Sequence, residues 1–225
     1  GCSFGVLSTI VKLAYDQGYN VGQITGTQSF LGVVILWSIY LLQKSFKPQS
    51  VKIKNREGQN KRTPLWKVAV AGSFTGLVGI FYYNSVHYVP ASIAIILLMQ
   101  YLWISILIEW IWFKKRPHKM QVIAAGIVFI GTLFAGGVFS DKVETLNMKG
   151  LVYGFLAAIS YSIFLMTSGR VGNELPVFKK SALMITGSMV LTWIIFPPLF
   201  LIDGTFFNGL YQWGLALALL GTVTP

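Results

Sequence analysis

Glu109 is the only acidic side chain inside a long apolar run of this sequence. The run extends from Ile93 to Phe113, 21 residues, and ends in a basic cluster, Lys114-Lys-Arg-Pro-His-Lys119. Tyr101, Ser105, Glu109 and Trp112 follow one another at intervals of four, four and three, which aligns them along one stripe of a helix. An aromatic ring, a hydroxyl and a carboxylate aligned in this way can line a polar path. A carboxylate desolvated there can also take up and release a proton. The competing role is structural: Glu109 lies about 7.5 Å along the helix before Lys114 and reaches the interface to pair with a basic group. Gln100 sits near the middle of the same run, nine residues before Glu109 and on nearly the opposite face. It either enters a cavity or hydrogen-bonds a neighbouring helix, an ordinary use of a membrane amide.

Two more polar groups interrupt apolar sequence. Lys12 follows Gly1, Gly5 and Thr9, a row of small residues that lets two helices approach closely. On that face Lys12 meets the bundle and can hold an anionic group; the alternative is pairing with Asp16 at i+4 and snorkelling to the interface. Gln28, in the second apolar run, lines a path or cross-links helices. No phosphate-binding glycine loop, nucleophile elbow or metal-ligand constellation is present, and Cys2 is the only cysteine. The sequence therefore predicts neither an enzyme nor a cofactor-binding protein.

The elements that carry these groups are helices in a bilayer. The chain is 54% hydrophobic and 11% charged, where a soluble domain carries about 25% charged residues. Eight spans can be read: about 1–15, 24–42, 68–86, 92–113, 122–139, 151–167, 182–202, and one starting near Trp213. Several exceed the length needed to cross about 30 Å of hydrocarbon, and a helix satisfies its own backbone there. Fifteen of the 18 Lys and Arg residues fall in three loops, after spans two, four and six. The net charge of +11 is therefore a topological signal rather than a nucleic-acid surface. It predicts a multi-pass protein of the cytoplasmic membrane with its N-terminus inside. The basic loop Lys44–Lys67 supports a second reading, a non-transporting assembly or regulatory protein that binds a partner or anionic lipid there.

Gly1-Cys-Ser-Phe-Gly-Val-Leu7 is echoed, at an offset of 149, by Gly150-Leu-Val-Tyr-Gly-Phe-Leu156. Gly150 and Gly154 thereby join Gly1, Gly5 and Thr9 as expected packing positions. Five spans separate the copies, so the second enters from the opposite side, as in transporters built from inverted repeats. The repeats are expected over 1–139 and 150–225, with two further spans after Pro225. Gly221 and Pro225 predict a kink or broken helix near a binding site.

Phe81-Tyr-Tyr-Asn-Ser-Val-His-Tyr-Val-Pro-Ala-Ser-Ile-Ala94, Gln121-Val-Ile-Ala-Ala-Gly-Ile-Val-Phe-Ile-Gly-Thr-Leu133 and Gly154-Phe-Leu-Ala-Ala-Ile-Ser-Tyr-Ser162, in this order of spans, resemble the drug/metabolite transporter superfamily and its EamA-type permeases. The chain differs where such proteins often carry a span-two arginine (here Thr27-Gln-Ser-Phe30) and a span-four proline (here Gln100-Tyr101). The resemblance implies an all-α integral membrane bundle of ten helices in two inverted five-helix repeats, about eight of them present here. It also implies alternating-access movement of a small metabolite such as an amino acid, nucleobase or drug-like compound, with a proton or another ion as coupling partner.

Overall fold

Turn chemistry explains where most of the helices begin and end. The computed structural model describes residues 2–46, 63–114, 116–135 and 147–223, and these form helices joined by short turns. Helix α1 (Cys2–Asp16) closes on Gly18, whose φ of +86° suits a residue without a Cβ. Helix α2 (Val21–Phe46) begins with the Asn20 N–H donating to Gln23 Oε1 at 2.9 Å, the return half of a capping box. Helices α3 (Leu65–Tyr88), α4 (Ala91–Met99) and α8 (Val177–Ile195) each follow a proline, at Pro64, Pro90 and Pro176. Helix α7 (Met148–Ser168) is capped by Asn147, whose side chain accepts from the Lys149 N–H.

Span four is α4 followed directly by α5 (Tyr101–Phe113), an apolar crossing from Ala91 to Trp112 of 22 residues. One tightened turn joins them, where the Gln100 N–H reaches the Leu97 carbonyl. Helix α6 (Lys119–Ala135) follows. The expected seventh span, 182–202, is corrected on two counts. Its helix starts earlier, at Val177, and stops at Ile195, before Pro197 and Pro198, which lack the N–H a helix needs. A single turn, α9 (Leu199–Ile202), resumes after them. Helix α10 (Tyr211–Ala218) is flanked by wide turns at 206–210 and 219–223. The second includes Gly221, where a kink was expected; Pro225 lies outside the described residues, as do Gly1 and most of the basic loop after α2.

Five of these helices are long and apolar enough to cross a membrane: α2, α3, the α4–α5 pair, α7 and α8. Their outer faces are apolar, with Trp112, Ile123, Ile127, Ile194 and Ile202 all more than half exposed. Such a surface matches hydrocarbon rather than water. The chain is an all-α, multi-pass membrane protein.

Helix α3 occupies the centre, packed most extensively on α7 and α8 and also touching α1, α2 and α4. Backbones approach closely here because the sequence supplies glycines. A Cβ on Gly72 would lie 2.0 Å from the Met184 carbonyl oxygen, and one on Gly187 would lie 1.8 Å from that of Ala69. Ser73 Oγ donates to the Gly187 carbonyl at 3.2 Å across the same joint. Helix α2 lies against α8, where Trp37 Nε1 donates to Thr186 Oγ1 at 3.1 Å, and these two residues are 149 positions apart. Helix α10 lies against α2 and α1.

Candidate functional site

The polar groups at the meeting of α1, α2, α3 and α10 are tied into one network. The Tyr83 hydroxyl donates to Gln28 Oε1 at 2.6 Å, and Gln28 Nε2 donates to the Leu217 carbonyl at 3.2 Å. Tyr15 donates to the Tyr83 carbonyl at 2.9 Å. Gly221 closes over the amide: a Cβ there would lie 2.7 Å from Gln28 Nε2. Helix α10 widens just beyond Leu217, the region where Gln28 takes up one of its carbonyls. Gln28 thus joins two parts of the chain separated by 189 residues.

Thr27, the neighbouring residue, is fully buried, yet its hydroxyl has no hydrogen-bond partner among the described residues. That sets it apart from Thr25, Ser29, Ser162 and Thr192, whose hydroxyls bond back to their own helices, at the carbonyls of Val21, Thr25, Ala158 and Ser188. A buried hydroxyl left unpaired costs about 1–3 kcal/mol. Its methyl group faces α10, where a Cβ on Gly214 would approach it to 2.2 Å. The Trp193 Nε1–H on α8 is likewise unpartnered, with its ring stacked on Phe30. The buried polar side chains Ser8, Thr25, Thr27, Ser29, Ser85, Gln100, Ser160, Ser162, Ser188 and Thr192 are all neutral.

The span-four stripe has a different outcome. Gln100 is buried at the α4–α5 junction, and its amide is fully engaged. Nε2 donates to the Ile96 carbonyl and to Thr132 Oγ1 of α6 at 3.0 Å, while Oε1 accepts from Trp103 Nε1 at 2.7 Å. Of the two roles open to it, the geometry favours joining helices. Tyr101 packs edge-on against Tyr161 of α7 with ring centroids 4.6 Å apart. Ser105 bonds to the Leu102 carbonyl of its own helix. Trp112 leaves the stripe and points outward, 73% exposed.

Glu109 meets Arg170 of the α7–α8 turn at 3.4 Å, both side chains being about 40% exposed (37% and 40%). The partner is not Lys114, the nearest base in sequence, but a residue on another helix turn. Beside the pair, Ile106, Glu109, Arg116, Pro117 and Gln121 line a hollow of about 30 Å³, room for roughly one water. The same turn holds the start of α3, for Glu174 accepts from the Thr63 N–H at 2.6 Å. That hydrogen bond holds the Glu174 carboxyl below the usual carboxylate range. Lys180 donates to the Ser168 carbonyl at 2.7 Å and to Asn173 Oδ1.

Lys12 lies on the exposed face of α1, as do Thr9 and Asp16, while Leu7, Val11 and Ala14 face the core. Of the two roles open to Lys12, the geometry fits the outward one, because the buried stripe of α1 runs through its apolar residues. Gly5 lies within α1. Gly150 and Gly154 sit against α3 and α4. A Cβ on Gly150 would lie 2.6 Å from the Val89 side chain, and one on Gly154 would lie 2.6 Å from that of Leu97. The Gly150 carbonyl accepts from Ser85 Oγ at 2.8 Å.

Sequence reasoning passed over Tyr83, Thr27, Trp193 and Arg170. A signal existed for Tyr83: a tyrosine inside a span needs a partner for its hydroxyl. Nothing local distinguishes Thr27 from the hydroxyls that bond to their own backbone.

The sequence profile described as the EamA-like transporter family matches residues 1–137. An uncharacterized transporter of Synechocystis sp. is 24% identical over 209 residues, which cover 85% of this chain and 63% of that protein. The chain thus spans less than two thirds of this relative's length. No solved structure matches the chain.

Proposed function

The chain belongs to the EamA-like transporter family, and from that premise we propose that it is a secondary transporter moving a small metabolite across the cytoplasmic membrane by alternating access. The N-terminus and the basic loops lie inside in this reading, so the Glu109–Arg170 pair stands at the inner end. The repeats span 1–139 and 150–225 and rock against one another.

The observation that carries the mechanism is the Trp37–Thr186 bond. In a bundle of two repeats related by a two-fold axis, positions offset by the repeat length, 149, meet at that axis, and the contact between these two supports that plan. At the level of elements the same exchange turns the α3–α8 joint into the α2–α10 joint, and both are packed. An axis through the α2–α8 contact supports two halves that exchange environments when the bundle rocks.

Gln28 and Tyr83, joined across the α2–α3 contact, are the preferred pathway groups. Tyr101 and Ser105 flank α7, Gln100 fastens α6, and Glu109 serves as an inner gate contact. The test is reconstitution of the intact protein in liposomes and counterflow of a broad metabolite panel under ion and substrate gradients. Movement of at least one solute is the expected result. A protein that moves none of them is not a transporter of this kind.

A further inference from the structure

Resting on the transporter reading, we infer that Thr27, Gln28 and Tyr83 form the polar subsite for an uncharged substrate with an amide-like donor–acceptor edge, and that α10 is the element that opens it. Three observations converge. First, Thr27 carries a fully buried hydroxyl with no partner among the described residues. A buried polar group held unsatisfied calls for a partner, and a ligand entering the bundle can supply one. Second, the side-chain amide of its neighbour Gln28 has two N–H donors and a carbonyl acceptor, and protein groups engage one of those donors and the acceptor. One of those is a backbone carbonyl of α10, held at 3.2 Å. Releasing α10 frees the Gln28 donor, and Thr27, which meets the same helix at Gly214, carries a hydroxyl with both donor and acceptor capacity. The complement of that pair is a lactam, amide or imide edge.

Third, α10 meets α2 across a joint with little side-chain interlock, and an apolar hollow lies beside that joint. Wide turns adjoin it, and Gly209 takes φ +108° in the first of them. It meets α2 through Gly214 and Gly221, which present no side chain to the joint. An apolar hollow of about 230 Å³, lined by Leu31, Phe206, Phe207, Tyr211 and Leu215, flanks the same joint, and Leu31 also packs on Gly214. The charge of the ligand follows from desolvation. The buried polar side chains are all neutral, and the nearest charged groups of α1, Lys12 and Asp16, face outward. A substrate carrying a full charge would leave water with no counter-charge to meet it.

The experiment is proteoliposome counterflow with the intact protein and three sets of labelled probes. These are uncharged cyclic amides (uracil, nicotinamide, 2-pyrrolidone), the zwitterion leucine, and the ions glutamate and tetraethylammonium. At least one cyclic amide is expected to move in preference to the ions and the zwitterion. Thr27→Val, which removes only the hydroxyl, is expected to lower its apparent affinity at least about fivefold, the value of one lost hydrogen bond. The same variant is expected to unfold at a temperature no lower than wild type, because the lost hydroxyl had no partner to lose. A role confined to packing would leave affinity unchanged. Gln28→Leu gives a second reading of affinity, taken on protein whose melting temperature is measured in parallel. Preference for an ion or a zwitterion, or unchanged affinity in Thr27→Val, overturns the subsite. Failure of every probe, charged or not, overturns the transporter reading beneath it.

Discussion

Gly72→Ala tests whether the α3–α8 joint is the fixed core of the bundle. The added methyl would meet backbone atoms of Met184, its carbonyl oxygen at 2.0 Å and its Cα at 2.4 Å. Ordinary contact begins near 3.4 Å, so relief requires the helices to part by more than about 1 Å, since a backbone carbonyl cannot rotate aside as a side chain does. A gap of that size forfeits about a quarter to a half of each dispersion contact across the joint. It also stretches the Ser73–Gly187 bond, already 3.2 Å, beyond hydrogen-bonding distance. Overpacking of this kind costs about 1–3 kcal/mol, at the upper end where the obstacle is backbone, and the lost interhelical bond adds about 0.6 kcal/mol. The better helix propensity of alanine returns about 1 kcal/mol, leaving a net loss of about 2–3 kcal/mol. Gly126→Ala in α6 is the control, because a Cβ there meets nothing within 4 Å and only the propensity gain remains. Reversible unfolding in mixed micelles, titrated with a denaturing detergent, should separate the two variants by about 3–4 kcal/mol. Equal stabilities, within about 0.5 kcal/mol, would show that the joint is looser than the geometry requires and that the core lies elsewhere.

Further outcomes follow from the same geometry. In a double-mutant cycle with Glu109→Gln and Arg170→Gln, the coupling should stay below about 1 kcal/mol, because the pair is exposed and at 3.4 Å. Transport by Glu109→Gln should keep the pH profile of the wild type; a shifted profile would make Glu109 a proton relay rather than a gate contact. Gln100→Leu should cost about 1–2 kcal/mol, since Thr132 loses its interhelical partner and Trp103 its acceptor, while transport by the folded protein persists. Its measure is unfolding together with proteolysis of the α5–α6 region. For Glu174, the lowered pKa means that the contribution of its bond to Thr63 is present above the ordinary carboxylate value of 4.5 and is lost as pH falls through its lower folded value. Melts of Glu174→Gln and wild type should therefore differ most at neutral pH and converge in acid.

Much of the architecture was legible because bilayer thickness and backbone hydrogen bonding leave few solutions. Long apolar runs became helices within a few residues of the expected bounds. The prolines at 197 and 198 were visible too, yet hydropathy averaged across them and hid the end of α8. The central position of α3 was harder to see. Its sequence is apolar on every side, so no periodicity marks a buried face. The signal lay in its glycines, Gly72 and Gly76 at a spacing of four, opposite Gly187 and Ser188. At the site, Gln28 and Gln100 were both recognisable as amides that need partners in lipid, but a sequence cannot say which helix supplies them. Their roles diverged for that reason: one bonds outward to α6, the other inward to α3 and α10.

The distribution of polarity along the bundle bears on how such a protein can both close and conduct. Charge is concentrated at the basic end, where Glu109, Arg170, Glu174 and Lys180 tie the α7–α8 turn to its neighbours. These contacts are at least partly exposed to water, so breaking one costs little and rehydration replaces it. The interior holds hydroxyls and amides instead, whose bonds in lipid are worth only about 0.6–1.7 kcal/mol each. A site built from them can exchange a protein carbonyl for a substrate group at almost no net cost, whereas a buried ion pair broken to admit substrate would leave an uncompensated charge. On the transporter reading proposed above, an interior of this kind suits repeated opening better than tight closure. Thr27 sharpens the point: on the proposed subsite reading, its unpaired hydroxyl raises the energy of the empty bundle, and a substrate that supplies the bond recovers that energy.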